Sequence, residues 1–200
     1  MLVTQISGRK VPRHPTDSLG LALPEPSWPD PPGSAHDLES VRRFCNSTNR
    51  EAGADAWRSA AELDSWLQRE GYVLPLATPG DVDRARQLRD AIWRCVRQHS
   101  LAPLTEQLTG VRASMSVDAT GALVVHGAGR VSDQLAISLA MTMRDADRDG
   151  TWTRLKACDH CGWVFHDTSK NRSGRWCSMQ ACGGREKAKA YRRRRTTPQE

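Results

Sequence analysis

Four of the six cysteines in this chain lie close together, within residues 158–185. Their spacing is Cys158-x2-Cys161-x15-Cys177-x4-Cys182. A Cys-x2-Cys pair bends the chain so that two sulfurs can bind one ion at about 2.3 Å, and a second pair completes a tetrahedron. We therefore predict a structural zinc site (Zn2+) with these four thiolates as ligands, because four sulfurs leave no open position for catalysis.

Other chemistries fit these residues less well. His160 and His166 could each replace a ligand, yet the four cysteines already have consistent spacing. The zinc deaminase signature, HxE followed by PCxxC, is absent from the sequence, and a redox CxxC site would lack the second cysteine pair. The sequence also contains no nucleophile elbow, P-loop or dinucleotide-binding fingerprint, so we predict that the protein is not an enzyme.

The residues around the cysteines predict a treble-clef-like finger made of a knuckle, a hairpin and a helix. Trp163 and Phe165 alternate on the first hairpin strand, and Trp176 falls on the return strand. Three aromatic side chains can form a core for a unit of about 40 residues, a size that usually needs a metal as well. After Cys182, the run EKAKAYRRRR consists almost wholly of helix-forming residues.

Basic residues are concentrated at this end of the chain. Between Arg154 and Arg195 there are 12 Lys or Arg and three acidic residues, whereas the whole chain has 29 and 23. A basic helix held by zinc can contact DNA phosphates and reach base edges in the major groove, so we predict DNA as the partner. The candidate contact residues are Lys170, Arg172, Arg175, Arg185, Lys187, Lys189, Arg192, Arg193 and Arg194.

Two rival functions share this basic finger. An RNA- or ribosome-associated zinc module would prefer structured RNA over duplex DNA. A protein-interaction module would place the basic helix on an acidic protein partner and bind nucleic acid weakly. A charged helix can also simply be solvated. A homo-oligomer is compatible with a DNA-binding role, although no residue pattern indicates one.

Upstream of the finger, the composition changes. Residues 1–33 contain seven of the eleven prolines and predict a flexible arm. Residues 34–150 show helical periodicity with one hairpin, 151–195 form the finger, and 196–200 form a tail. The predicted fold is a mainly α N-terminal domain with a small β-hairpin (α+β), followed by a treble-clef-like zinc finger.

Capping signals and apolar spacing locate the helices of this domain. Ser59 followed by Glu62 has capping-box spacing, and Thr78 with Asp81 starts a stripe of apolar residues that continues to position 96. Other helices are predicted before Asn46 and over 103–108 and 132–146. The segments VRASMSV and ALVVH around the turn DATG predict a hairpin.

The chain is modestly apolar, with 38% hydrophobic residues. No apolar run approaches the roughly 18 residues of a membrane span, and the N-terminus has no apolar signal-peptide segment. We therefore expect a soluble, cytoplasmic protein without a membrane partner. In that compartment the cysteines are reduced and available to metal.

The polar run Asn46–Arg50 interrupts the apolar pattern and has two interpretations. Its side chains could line the pocket of an effector ligand, or they could form the end of a helix and a turn, which such residues favour. The two remaining cysteines, Cys45 and Cys95, fall on apolar helical faces and are predicted to be buried in the core.

The run WTRLKACDHCGWVFHDTSKNRSGRWCSMQACGGREKAKAYRRR resembles the CGNR zinc-finger family of bacterial proteins, with CxxCxWxF, D-x-S, RWCSM and CG-x-R in register. Upstream, LESVRRFCNSTNRE and ELDSWL resemble the ABATE domain, which is associated with stress-induced transcription regulation. The resemblance implies a zinc-dependent, DNA-binding regulator with the four cysteines as ligands. Gly184 stands where the family has Asn, and we expect the fold to survive because glycine tolerates the same backbone conformations.

Overall fold

The structure, a computed structural model, describes residues 38–196. The predicted arm at 1–33 and residues 197–200 of the predicted tail lie outside the described residues. Within the described part, no helix combines the length and the apolar character needed to cross a membrane.

The described residues form six α-helices and three two-stranded antiparallel sheets. The helices are α1 (Leu38–Cys45), α2 (Ala60–Arg69), α3 (Pro79–Gln98), α4 (Thr105–Leu108), α5 (Val131–Arg148) and α6 (Gly184–Thr196). The paired strands are β1 (Thr48–Asn49) with β2 (Ala54–Asp55), β3 (Ala113–Val117) with β4 (Leu123–Gly127), and β5 (Leu155–Ala157) with β6 (Val164–His166). The predicted mainly α fold with small hairpins and a C-terminal finger is confirmed.

Two helices begin at the predicted caps. The Ser59 hydroxyl accepts a hydrogen bond from the backbone N–H of Glu62 at the start of α2. Thr78 and Asp81 form a complete capping box at the start of α3, in which each side chain bonds the backbone of the other residue. These bonds satisfy N–H groups that a helix start leaves unpaired, so the sequence signals locate both starts correctly.

The main core lies between α1, α3 and α5. Their buried apolar residues follow the predicted 3–4-residue spacing, as with Leu88, Ile92 and Val96 on α3. Phe44 and the fully buried Trp57 add an aromatic contact, with ring centroids 5.3 Å apart. Large aromatic side chains dominate the apolar area that such a small domain can bury.

A buried ion pair fastens the short β1–β2 hairpin to α3. The guanidinium of Arg89 is buried, donates to Ser47 Oγ at 3.0 Å and pairs with the carboxylate of Asp55. It also lies over the ring of Trp57, 4.6 Å from the centroid. Since two-residue strands leave almost no alternation in the sequence, this hairpin was not predicted.

The β5–β6 hairpin joins the finger to the main core. Leu155 and Val164 are fully buried within the core of the helical domain. The prediction of a hairpin with Trp176 on a return strand is wrong in this respect, because no strand is present between residues 167 and 178. Strand β6 instead pairs with β5, the segment before the first cysteine. This pairing buries both strands against the helices.

One carboxylate caps two helices. Asp81 is 3% exposed, and one of its oxygens accepts hydrogen bonds from the backbone N–H and hydroxyl of Thr78 at 2.9 and 2.6 Å. The other oxygen accepts from the backbone N–H and hydroxyl of Ser132, at the start of α5, at 3.2 and 2.9 Å. Burial alone would raise the pKa of Asp81, but the hydrogen bonds from Thr78 and Ser132 hold it below its ordinary value.

We expect Asp81→Asn to lower the free energy of unfolding by about 1 to 3 kcal/mol, because the amide cannot accept all four hydrogen bonds. Since the folded pKa is lowered, the carboxylate stabilises the fold above its unfolded pKa of about 4, and this contribution is lost as the pH falls. Urea unfolding at neutral pH and below pH 4 measures both effects. Asp83→Asn, an exposed position on the same helix, is the control. Equal stability of Asp81→Asn and wild type at neutral pH would contradict the double-cap assignment.

Candidate metal centre and nucleic-acid interface

The structure brings the four predicted ligand sulfurs together, all within 4.8 Å of one another. The sulfurs of Cys161, Cys177 and Cys182 form a triangle with sides of 3.7 Å. Sulfurs bound at about 2.3 Å to a tetrahedral ion stand about 3.8 Å apart. The sulfurs therefore have the separation of tetrahedral metal ligands and are too far apart for a disulfide bond.

Four neighbouring thiols cannot all ionise by themselves. Hydrogen bonds from the thiols of Cys161 and Cys177 hold the pKa of the Cys158 thiol well below its usual value. The same contact with Cys158 raises the pKa of Cys161 to about 12, and it also raises the pKa of Cys177. A divalent cation replaces the protons and compensates several thiolates at once, so the donor set fits a zinc ion.

Strand β5 leads directly into the first cysteine pair. Cys158 donates its backbone N–H to the Trp163 carbonyl at 2.8 Å, and its own carbonyl accepts from Gly162 N–H at 2.9 Å. Gly162 has a φ of +76°, and a Cβ there would lie 3.3 Å from the Arg50 side chain and 3.4 Å from the Trp93 ring. Glycine at this position therefore allows the positive φ of the knuckle and its close packing against Trp93 on α3.

The second pair lies at the start of α6. The Ser178 hydroxyl accepts from the Ala181 N–H at 3.1 Å and caps a π-helical turn over Met179–Gly183. Cys182 lies in this turn and is fully buried. The N–H groups of a helix start carry partial positive charge, which stabilises a thiolate there.

The side chains of Trp163 and Phe165 pack with the sulfurs, and Trp176 joins them from the loop before the second pair. The predicted aromatic core is therefore present, although Trp176 reaches it without a strand. The other two cysteines lie elsewhere. Cys45 and Cys95 are in the main core, where burial raises the pKa of their thiols to about 12 and about 11.

Hydrogen bonds fix the knuckle to the helical domain. The side-chain amide of Asn46 donates to the Val164 carbonyl and accepts from the Val164 N–H, both at 2.8 Å, as a neighbouring strand would. The Trp93 indole N–H donates to the Gly162 carbonyl at 2.7 Å. These four residues set the orientation of the metal centre, and sequence reasoning singled out Asn46 alone among them as a polar residue with a possible role.

The polar run that contains Asn46 has the chemistry of a helix end and a turn. The Ser47 hydroxyl donates to the Phe44 carbonyl at 2.7 Å at the end of α1. The Asn49 side-chain oxygen accepts from the backbone N–H groups of Glu51 and Ala52 at 3.1 and 3.0 Å. The turn interpretation is therefore confirmed for these side chains.

The D-x-S motif organises the loop between the two cysteine pairs. Asp167 is buried and accepts hydrogen bonds from Lys156 Nζ at 2.7 Å and from the N–H groups of Ser169 and Gly174 at 3.0 and 2.8 Å. Burial alone would raise the pKa of Asp167, but these bonds hold it well below its ordinary value. The ordered loop presents Lys170 to solvent.

The predicted nucleic-acid contacts fall into two groups. In the loop and at the start of α6, three exposed arginines have polar partners that give each a structural role. These pairs are Arg172 with the Thr153 hydroxyl (2.6 Å), Arg175 with Asp159 (2.8 Å) and Arg185 with Glu51 (2.7 Å). The remaining six are exposed, namely Lys170, Lys187, Lys189, Arg192, Arg193 and Arg194.

Helix α6 presents most of this second group. None of its described side chains is buried, from Gly184 to position 195. Its one acidic residue, Glu186, bonds to His160 Nδ1 at 2.8 Å. Lys187, Lys189 and Arg194 make no ion pair with any of residues 38–196. These three side chains therefore give α6 exposed positive charge that no acidic residue among 38–196 pairs with.

Gly184, which departs from the family motif, occupies an ordinary helical position. Its φ is −63°, and a Cβ there would meet only the Met179 carbonyl oxygen at 3.8 Å. The neighbouring Gly183 is crowded, because a Cβ there would lie 3.0 Å from Trp176 and 3.2 Å from the Met179 sulfur. A side chain therefore fits at Gly184 without rearrangement, whereas one at Gly183 requires Trp176 and Met179 to shift by a few tenths of an ångström.

Comparison with protein families gives two matches along the chain. The model of the ABATE domain, described as "Putative stress-induced transcription regulator", matches residues 39–152. The model of the CGNR zinc finger matches residues 154–195. A search of curated proteins found no match.

We expect Cys177→Ser to lose the bound metal and the ordered start of α6 while the core of α1, α3 and α5 stays folded, because the main core does not contain Cys177. Zinc content per chain and far-ultraviolet circular dichroism measure the two parts. Cys95→Ala, which removes a thiol far from the cluster in the chain, should keep its zinc. A Cys177→Ser protein with unchanged zinc content would refute the four-sulfur site.

We expect Gly184→Ala to stabilise α6 by up to about 1 kcal/mol, and Gly184→Asn by a few tenths, because glycine is a poor helix former. Gly183→Ala should destabilise the finger through its contacts with Trp176 and Met179. The rate of zinc release to a chelator ranks the three variants. Faster release from Gly184→Ala than from Gly183→Ala would contradict the packing argument.

Proposed function

Because the chain belongs to the ABATE family and its ABATE domain is followed by a CGNR zinc finger, we propose that it is a DNA-binding transcription regulator with a structural zinc ion. The exposed basic helix α6 is the observation that carries the proposal. Within Gly184–Thr196 there are seven basic residues and one acidic residue, and the acid is already bonded to His160. Such a surface attracts the phosphates of duplex DNA.

Cys158, Cys161, Cys177 and Cys182 would hold the zinc ion. The ion supplies a cross-link between the knuckle and the start of α6, and the proposed role involves no catalysis. The four thiolates fill a tetrahedral coordination sphere and leave no position for a substrate. A cytoplasmic location follows from the proposal, because that compartment holds the bacterial chromosome.

The proposed DNA contact depends on a helix whose first turn is held by contacts with the protein and whose remaining turns are exposed to solvent. The cysteines and the ion pair between Arg185 and Glu51 hold the first turn of α6 against the finger and the ABATE domain. Beyond that turn, none of the described side chains of the helix, up to position 195, is buried. A helix held in this way can enter the major groove, where Lys and Arg reach phosphates and guanine edges.

The loop between the two cysteine pairs adds the exposed Lys170. Lys170 follows the turn that Asp167 organises, and it makes no ion pair among residues 38–196. Arg172, Arg175 and Arg185 support the surface in a different way. Their charges contribute to the field around the DNA while their hydrogen bonds hold the loop and the helix start.

We expect the triple variant Lys187→Gln, Lys189→Gln, Arg194→Gln to bind duplex DNA more weakly and with a salt dependence flatter by about 2 to 3 logarithmic units per decade, because three phosphate contacts are lost. Fluorescence anisotropy of zinc-loaded full-length protein at several salt concentrations measures this. The matched control is Arg69→Gln, Arg94→Gln, Arg148→Gln, which removes the same charge from exposed positions outside the finger.

The same titration separates the rival functions. Probes are the DNA upstream of the gene, a duplex of scrambled sequence and a structured RNA. Tighter binding to the upstream DNA that persists as salt rises supports a sequence-reading regulator. Preference for the RNA, equal binding to all three probes, or equal salt slopes for the two triple variants would refute the proposal and favour an RNA module or an acidic protein partner.

A further inference from the structure

A cleft of about 670 Å3 opens in the helical domain, in a part of the chain that the proposed DNA contact does not use. Its walls are the first half of α3, α4, the segment entering β3 and the first turn of α5. No residue of the finger lines it. Its volume lies within the roughly 300 to 1,000 Å3 of small-molecule sites.

Asp133, the third residue of α5, lines this cleft. The residue is 7% exposed, and its carboxylate makes no hydrogen bond or ion pair with residues 38–196. The neighbouring Ser132 cannot satisfy it, because its N–H and hydroxyl both donate to Asp81. The carboxylate therefore remains available to a ligand in the cleft that brings a hydrogen-bond donor or a positive charge.

Three arginines stand around the same cleft and also lack acidic partners among the described residues. Arg84, Arg112 and Arg130 are exposed at its walls, and none makes an ion pair with residues 38–196. The guanidinium of Arg112 lies against Gly129, where a Cβ would come within 2.8 Å of it, and the φ of +87° there also favours glycine. The start of α5 adds partial positive charge, so the cleft attracts an anionic group.

The remaining walls limit the choice of ligand. The buried side chains of Leu88 and Ala136 supply an apolar surface. Asp83 and Glu106 are exposed at the cleft, and Asp83 lies 3.6 Å from Arg86. Among the described residues, the ligand atoms of the four cysteines lie close enough together to hold a metal ion, whereas those of the acids at the cleft do not.

We infer that this cleft binds a small zwitterion of the amino-acid type, with its carboxylate on the arginines and its ammonium group on Asp133. A simple anion would leave the Asp133 carboxylate unpaired beside a second negative charge. A simple cation would face three arginines and the positive end of α5. A molecule with both charges satisfies each group, and its side chain can contact Leu88 and Ala136. The inference does not depend on DNA binding.

The test uses full-length, zinc-loaded protein and each of the twenty protein amino acids as probe. Isothermal titration calorimetry and thermal shift measure binding. We expect at least one amino acid to bind and to raise the melting temperature. Its analogues without the amino group or without the carboxylate should bind about tenfold more weakly or worse, since each loses a hydrogen-bonded ionic contact.

Two variants locate the site. Asp133→Asn and Arg112→Gln should each weaken the binding of that amino acid by about tenfold or more while zinc content and circular dichroism stay unchanged. Their matched controls are Asp147→Asn on α5 and Arg94→Gln on α3, both exposed and outside the cleft, which should bind as wild type does. The inference is overturned if none of the twenty amino acids binds, or if Asp133→Asn and Arg112→Gln bind as tightly as their controls.

Discussion

Neighbouring thiolates repel one another unless a cation lies between them. In the C-terminal part of this protein, the knuckle and the start of α6 bring four cysteine sulfurs together in a way that requires such a cation. Three of the sulfurs stand 3.7 Å apart, close to the separation of tetrahedral ligands. Around them the finger has a few aromatic side chains as its core, which is little for a unit of its size. The proposed zinc ion would therefore supply most of the energy that holds the knuckle to the first turn of α6.

The finger is not a separate, flexibly linked domain but packs on the helical domain. Its first hairpin contributes Leu155 and Val164 to the core of the helical domain, and Asn46 pairs with the backbone of Val164. Because these contacts are buried and directional, the orientation of the metal centre on the ABATE domain is fixed. The proposed DNA-contacting helix then starts from a defined direction, which a flexibly linked finger would lack.

Helix α3 contacts both the cleft around Asp133 and the knuckle of the finger. Its first half lines the cleft around Asp133, and its second half carries Trp93 and Arg97, which contact Gly162 and Asp159 of the knuckle. A hydrogen-bonded helix of 20 residues behaves as a stiff rod of about 30 Å. One helix therefore supports both the cleft and the knuckle.

The sequence by itself determined the features that depend on neighbouring residues or on fixed spacing. The cysteine pairs, the caps at Ser59 and Thr78, the apolar stripes of the helices and the basic composition of α6 could all be read from it, because each follows from local chemistry. Tertiary structure decided the rest. The packing of Leu155 and Val164 in the helical core and the bond from Asn46 to Val164 join residues distant in the chain, and burial rather than local pattern selects them. The position of Asp133 at the cleft, without a partner among residues 38–196, also follows from the packing of distant segments.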